Sequence, residues 1–513
     1  MYKSENTMKI RITLLALLTA CYAWAEVHIT VTTPDAWSTQ ELAPYVGQTV
    51  VFDCPIVVSN NASNPMRVGP WRMFQPQNQG AQGTAEYMSA THVNGSCTFT
   101  LSGVSGYHRC GEKIYNLKAK VNSTSSLSWV SGTWSGNTRA DMEAGLPDLG
   151  DYRLLICGFN LENYFVRNMG SMGARSYAEH QDQRAKVSKA LKKINADIFG
   201  LVELEEGDDA IQEIVNDLNS NLPGRNYKYF HDSNSGSSQK SDFVYDANVV
   251  EPIGTPCYIN TELVNRKKML AFREIATGEK FIYSINHFKA MNTGDEYRRV
   301  NEAKAVADFY KTYRQDKHVR DNDILIMGDL NCYAKTEPIF VFTNQGLIDL
   351  HRAFHADSSY SYMYGGLASY IDHAISSGTM YRQVTGMSAY HINSDEDDKY
   401  TYDKSSDLSM FRCSDHDPVL VGLKLDSTLV FDPTPQINSA EIVKSDAHTL
   451  VIQNAYSENS QSYYAIYDVN GRLVERKEIT SAFFEVELPF DPGIYIVYVY
   501  YDGVAYQKKM IVR

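Results

Sequence analysis

Six short stretches of this chain carry acid, amide or imidazole side chains directly behind apolar runs. They are Asn160 in "CGFNLEN", Glu203 in "LVELEE", His287 in "SINHFKA", Asp329 and Asn331 in "MGDLN", Asp372 in "SYIDHAIS", and Asp415 with His416 in "CSDHDPVL". A carboxylate or amide at the mouth of a buried strand is costly unless something satisfies it. One such residue is an ordinary solvated strand end, but six at the exits of apolar runs point to one site where strand ends converge. Carboxylates and amides without thiolates suit a hard divalent cation. Two histidines beside them can exchange protons near neutral pH. The chain has no GxSxG, no P-loop and no Gly-rich dinucleotide turn. A hard cation, acid/base groups and amide donors fit attack of water on a phosphoester, whose transition state gathers charge on oxygen.

The elements that must position these residues are legible as an alternation. "DYRLLICGFNLENYF" reads as a strand running into polar residues, and "DQRAKVSKALKKI" as a helix with Val187, Leu191 and Ile194 on one face. "DIFGLVELEE" is a second buried strand ending in acid. Helical "DAIQEIVNDLNSNL", strand-like "KFIYSINHF", helical "RRVNEAKAVADFYKTY" and the strand "ILIMGD" follow. Apolar strands alternating with amphipathic helices predict an α/β core whose sheets are covered by helices. Residues 26–148 differ: short alternating runs between Gly, Asn, Ser and Pro clusters predict a β-rich accessory domain. Its Tyr107, His108 and Arg109 are read as ordinary β-domain surface in preference to a binding face. A Pro-containing linker at 427–438 leads to 439–513, where Asn470-Gly471 between apolar runs is a hairpin signal and a small all-β sandwich is expected.

At 513 residues the chain is too long for one ordinary core. Its net charge of −13 argues against a simple basic clamp for nucleic acid or anionic membrane. A polyanionic substrate stays compatible, because bound cations can supply positive charge locally. Residues 1–25 read as a signal peptide: Lys9 and Arg11 precede the apolar stretch Ile12–Ala20, and Ala23-Trp24-Ala25 is a small-x-small cleavage site. Lipid attachment at Cys21 is the competing reading. Export changes the view of Cys54, Cys97, Cys110, Cys157, Cys257, Cys332 and Cys413. Cys97 and Cys110 could close a short disulfide loop, and the others are expected as buried free thiols. The acidic run Asp395–Asp398 is read as a solvated loop in preference to a Ca²⁺ site, and residues 233–241 as a flexible loop.

With these segments in this order, residues 149–426 resemble the endonuclease/exonuclease/phosphatase superfamily, the DNase I-like fold. "GDLN" followed later by "SDHDPV" is the specific part. "GDLNCYAKTEPI" and "YSYMYGGLASYIDHAIS" are most similar to bacterial extracellular nucleases. The resemblance implies a four-layer α/β sandwich as catalytic domain. It implies Glu203 as a principal metal ligand with Asn160 and Asp415, and Mg²⁺ as the cation, with Mn²⁺ or Ca²⁺ as alternatives. Asp329 would activate water, Asn331 would bind a phosphoryl oxygen, and His416, oriented by Asp372, would stabilise the phosphoryl group. His287 would be the second histidine, near the leaving oxygen, though its usual carboxylate partner is not identifiable. Arg266 and Lys289 are candidate phosphate contacts, and Arg184 a structural salt bridge. The C-terminal "YAIYDVNGRLVERKEI" and "DPGIYIVYVYYDGVAYQKKMIVR" resemble sorting domains of the type IX secretion system. The expectation is a monomeric, exported, metal-dependent nuclease on DNA more than RNA, without a transmembrane span, at the outer surface or released. The alternatives are a sphingomyelinase-like phospholipid or sugar phosphoesterase, and an adhesion protein with an inactive catalytic-like domain.

Overall fold

In the computed structural model, residues 138–426 are described almost throughout, apart from 171, 233–237, 293, 356–358, 365–366 and 397–399. On either side the description covers separate short stretches within 27–135 and 441–512. The expected leader, Cys54, Cys97, Cys110, Tyr107–Arg109, the 427–438 linker and the Asn470-Gly471 turn lie outside the described residues. So do most of the expected loop at 233–241 and the second half of the acidic run.

Two six-stranded mixed sheets form the centre. The first contains β1 (Leu154–Tyr164), β2 (Ile198–Glu205), β3 (Tyr227–Tyr229) and β4 (Gln239–Asp246). The second opens with β5 (Val250–Tyr258), β6 (Lys267–Glu274), β7 (Lys280–His287), β8 (Ile324–Asp329), β9 (Ile348–Asp349) and β10 (Asp372–Ser376). The chain then returns to the first sheet with β11 (Val384–Ala389) and β12 (Val419–Leu423). Strand order is β3-β4-β2-β1-β12-β11 in one sheet and β5-β6-β7-β8-β10-β9 in the other. Each sheet holds one parallel pair, β1 with β2 and β7 with β8. Parallel neighbours need a crossover, supplied by helix α1 (Tyr177–Ile194) and, in the second sheet, by α3 (Glu296–Tyr313). Between them in sequence, α2 (Asp209–Asn221) follows β2.

The side-chain alternation of the strands builds the layers. Leu154, Ile156, Tyr283, Ile285, Leu325 and Met327 face the partner sheet in one shared core. Their neighbours Leu155, Cys157 and Phe159 pack under α1 and α2, while Ile324 and Ile326 pack under α3. The result is the expected DNase I-like helix–sheet–sheet–helix sandwich. The sheets approach closely at Gly200, where a Cβ would stand 2.2 Å from the Tyr283 hydroxyl. Any larger residue there would force them apart. The helix α1 begins at Tyr177, capped by the Ser176 hydroxyl on the Glu179 N–H, and ends at Asn195 in the left-handed conformation.

Outside the sandwich the described stretches are β-rich, as expected from the turn-punctuated sequence. A seven-stranded and a two-stranded sheet lie N-terminal, and a three-stranded and a four-stranded sheet C-terminal. The latter pair share a core of Leu450, Ile452, Tyr464, Ile466, Val497 and Val499. Cys157, Cys332 and Cys413 are buried free thiols and Cys257 a half-exposed one. Among the described residues no helix is long and apolar enough to cross a membrane.

Two loop expectations are corrected. Gln239–Ser241 belong to β4, buried between neighbours. Asp395 and Glu396 are buried anchors, not a solvated loop. Asp395 accepts from the Tyr360 hydroxyl at 2.8 Å and Glu396 binds the Arg139 guanidinium.

Candidate active site

The two parallel pairs end at the same edge of the sandwich. The alternation that sends residues 156, 285 and 327 between the sheets also sends Asn160, His287 and Asp329 inward at that mouth, with Asp372 at the start of antiparallel β10. Glu203 is the exception. Strict alternation from Val202 would turn it to the helix side, but the register of β2 slips between Leu201 and Leu204 and Glu203 takes φ 63. A bulge of this kind re-aims one side chain, and here it turns Glu203 toward His287. Gly328, at φ 119 with the Asn286 carbonyl 2.1 Å from where a Cβ would be, permits the tight approach of β8 just before Asp329.

The groups meet as follows. Asp329 Oδ2 accepts from Asn160 Nδ2 at 3.1 Å and Asn331 Nδ2 at 3.2 Å, and Oδ1 accepts from the Asn331 N–H at 2.8 Å. Asn331 also donates to the Phe288 carbonyl at 3.2 Å, so in this state its amide braces Asp329. His287 Nε2 lies 3.6 Å from Glu203 Oε1 and 3.8 Å from Asp329 Oδ2, while its Nδ1 is buried without a hydrogen-bond partner. On the other side, His416 Nδ1 bonds Asp372 Oδ2 at 2.8 Å. His416 Nε2 stands 3.9 Å from Asp329 and 3.8 Å from Asp415, too far for a hydrogen bond and open toward the space between them.

The two histidines are driven apart electrostatically. Burial alone would lower the His416 pKa, but Asp372, Asp415 and Asp329 outweigh it and hold the imidazolium well above the ordinary range. His287 is pushed well below that range by burial, reinforced by Arg266 and Lys267. One ring is a charged donor and the other a neutral ligand or acceptor, the division that acid/base chemistry needs. Burial and the neighbouring charge of Asp415 raise Glu203, and burial likewise raises Asp329. Carboxylates crowded together without a basic partner at bonding distance are what a cation would relieve.

Glu203, His287 and Asp329 bring one ligand atom each within 4.8 Å of one another and form a possible metal-binding triad. Two carboxylates and a neutral imidazole fit a divalent ion. Of the ligands expected from sequence, Glu203 belongs to this set, and Asn160 adjoins it through a hydrogen bond to Glu203. Asn160 also donates to Asp329, and Asp415 sits beside His416. Arg266, at the end of the short 3-10 helix Val264–Arg266 just ahead of β6, faces Glu203, Glu302 and Asp329, and its buried Nε has no partner. The backbone N–H of Lys289 donates to Glu302. Arg184 is the structural tie foreseen, bonded to Asp217 at 2.6 Å and Glu213 at 3.0 Å between α1 and α2.

Several contributors escaped sequence reading. Ser361, fully buried, donates to the same Asp372 oxygen at 2.7 Å, and His351 Nε2 bonds the Asp372 carbonyl at 2.9 Å. Tyr362 bridges the His416 backbone and lays its ring 4.7 Å from the imidazole. Glu162, on the bulge after Asn160, keeps a buried oxygen without a partner and is pushed up by burial and by Asp415. No periodicity marks these positions, since a hairpin and bulges place them.

A sequence-family model, described as the Endonuclease/Exonuclease/phosphatase family, matches residues 159–416. Among solved structures, the chain is similar to a mannosyl-6-phosphatase of Bacteroides thetaiotaomicron, with 18% identity, 53% of this chain and 100% of that one covered, and a TM-score of 0.40. It is also similar to the human Nocturnin catalytic domain with bound sulfate, at 13% identity over 53% and 94%, TM-score 0.38. Truncated TDP2 of Caenorhabditis elegans gives 15% identity over 53% and 96%, TM-score 0.37. Among curated proteins no match was found.

Proposed function

As the chain belongs to the endonuclease/exonuclease/phosphatase family, a family of hydrolases acting on phosphoester bonds, we propose that it is an exported, divalent-metal-dependent nuclease. It hydrolyses DNA, and RNA less readily, by in-line attack of water at phosphorus. The observation that carries this reading is one carboxylate, Asp329, standing between the Glu203–His287 pair and the Asp372-held His416.

Asp329, oriented by three donors and made more basic by burial, takes the proton of the attacking water. His416 presents its Nε2–H to the phosphoryl oxygen on which charge develops, and Asp372 keeps the ring charged and fixes its orientation. His287, neutral, serves as ligand or acceptor and not as an acid. Arg266 offers its free guanidinium donor to a non-bridging oxygen, and Lys289 supplies a further charge at the rim. A divalent cation held by Glu203, Asp329 and His287, Mg²⁺ or else Mn²⁺, would supply Lewis-acid polarisation and neutralise the phosphate. Export rests on the leader pattern around Lys9–Ala25 and on the likeness of 439–513 to secretion-sorting domains, which would make the secretion machinery a partner.

The test sets supercoiled plasmid, single-stranded RNA, sphingomyelin vesicles and p-nitrophenyl phosphate side by side with the purified chain and Mg²⁺ or Mn²⁺. Nicking and linearisation outpacing the other reactions support the reading. Hydrolysis confined to lipid or monoester would refute it.

A further inference from the structure

Arg412 lies on the loop that delivers His416, beside Glu162. It holds φ 54, a conformation that costs a non-glycine residue free energy and persists only when its surroundings enforce it. The surroundings do so through Asn393. The fully buried Asn393 side chain accepts from the Cys413 N–H at 2.9 Å and donates to the His416 carbonyl at 2.6 Å, while the Arg412 N–H bonds the Ile392 carbonyl at 2.9 Å. Arg412 Nη1 is anchored on the Asn393 carbonyl at 3.1 Å. The charge of the guanidinium is felt by the buried carboxyl of Glu162, with no ion pair formed between them. The Arg412 Nε is buried and unpaired, and no carboxylate among the described residues forms an ion pair with it.

Arg266 likewise has a buried and unpaired Nε. Arg266, just ahead of β6, faces Glu203 and Asp329, whereas Arg412 shares the surroundings of Glu162 and Tyr362 with Asp415 and His416, so the two guanidiniums border different parts of the site. An unsatisfied buried donor costs about 1–3 kcal/mol, more when charged. Two of them bordering one site are explained together if anions arrive at both.

We propose that Arg412 is the contact for a phosphate adjacent to the scissile one, so that the site spans a chain with phosphates on both sides of the cut. The inference rests on the nuclease reading and sharpens its substrate class to oligonucleotides longer than a dinucleotide. Sphingomyelin or a sugar monophosphate carries no second phosphate for Arg412 to hold.

Two readouts on the full chain test it. In a His416→Ala background, binding of a fluorescent single-stranded oligonucleotide is followed against salt, with and without Arg412→Ala. Losing one phosphate contact lowers the slope of log affinity against log salt by about 0.7. Arg412→Lys, which keeps the charge, should retain the slope and controls for folding together with thermal melting. In the active chain, kcat/KM for a long oligonucleotide over that for a dinucleotide should fall roughly tenfold in Arg412→Ala, through KM. An unchanged slope, or an equal loss on both lengths, overturns the proposal even if the wild type is a good nuclease. A wild type that cleaves no oligonucleotide overturns the nuclease reading and this inference with it.

Discussion

Asp372→Asn is the substitution on which the account of His416 depends most. The Asp372 backbone is fixed independently, since its carbonyl accepts from His351 Nε2 at 2.9 Å and its strand pairs with β8. The change therefore alters charge and little else. Asp372 Oδ2 accepts from both His416 Nδ1 at 2.8 Å and Ser361 Oγ at 2.7 Å, and an asparagine can present its amide oxygen to the same two donors. What disappears is the charge assistance to a buried imidazolium. Hydrogen bonds to charged groups contribute about 1.5–3 kcal/mol against about 0.5–1.5 for neutral ones. Adding the lost Coulomb stabilisation of the imidazolium, the expected deficit is about 2–3 kcal/mol, or roughly 30- to 150-fold in kcat/KM. Steady-state hydrolysis of a fluorogenic oligonucleotide with saturating Mg²⁺ reads this directly. Because a carboxylate raises the His416 pKa and the protonated ring is the working form, the alkaline fall of activity should also move to lower pH in the variant. Asp372→Ala should be worse still, since Nδ1 and the Ser361 hydroxyl would both lose their acceptor. A variant Asp372→Asn within about threefold of wild type, with an unmoved pH profile, would refute the role assigned to the pair.

Other expectations follow from the same geometry. Glu203→Gln should weaken divalent-cation binding by about 100-fold or more, since even partners of metal ligands are worth 10- to 100-fold, which Mn²⁺ titration followed by electron paramagnetic resonance would measure. Asp242, buried, is held low because Lys268 at 2.9 Å and Lys240 at 3.0 Å outweigh the effect of burial. Asp242→Asn strands the Lys268 ammonium, while Lys240 keeps Asp232 at 3.3 Å, and should cost about 3–5 kcal/mol, a Tm loss of roughly 10 °C by calorimetry at neutral pH. In the wild type that contribution is lost only as pH falls through the depressed carboxylate range. Asp321 behaves oppositely: burial and then Asp323 raise it to about 7, so the folded state holds its proton and stability is lost as pH rises toward that value. Asp321→Asn keeps the acceptor for the Asp323 N–H and should raise stability by up to about 3 kcal/mol above that pH while changing little in acid.

The fold was legible because the central strands are buried on both faces and the helices on one. "LLICGF" and "ILIMGD" could be nothing but interior strands, and the observed β1 and β8 begin within them. The site was legible as residue types at strand exits, since the strand period carries Asn160, His287 and Asp329 to one edge once the sheets face each other. Their partnerships were not. Glu203 reaches His287 only because a bulge reverses its face, and a bulge has no period to read. Asn331 braces Asp329 through its own positive φ of 48, a local backbone choice its type permits but does not announce. Ser361 and His351 act on Asp372 from the edge of a hairpin and from a short helix, 11 and 21 residues upstream, and both look like ordinary polar residues in the string. Asp395 and Glu396 misled for the converse reason: acidic residues read as solvated were drawn inside by Tyr360 and Arg139.

The central claim is that Asp329, the Glu203–His287 pair and His416 act together as one cation-dependent phosphodiesterase centre. The most direct measurement is the rate of nicking of supercoiled plasmid by the full chain with Mg²⁺, with EDTA, and beside His416→Ala. The account predicts cleavage that disappears on chelation, returns when Mg²⁺ is restored, and is lost in the variant while its fold and oligonucleotide binding persist. Undiminished cleavage in EDTA, or by His416→Ala, would contradict it.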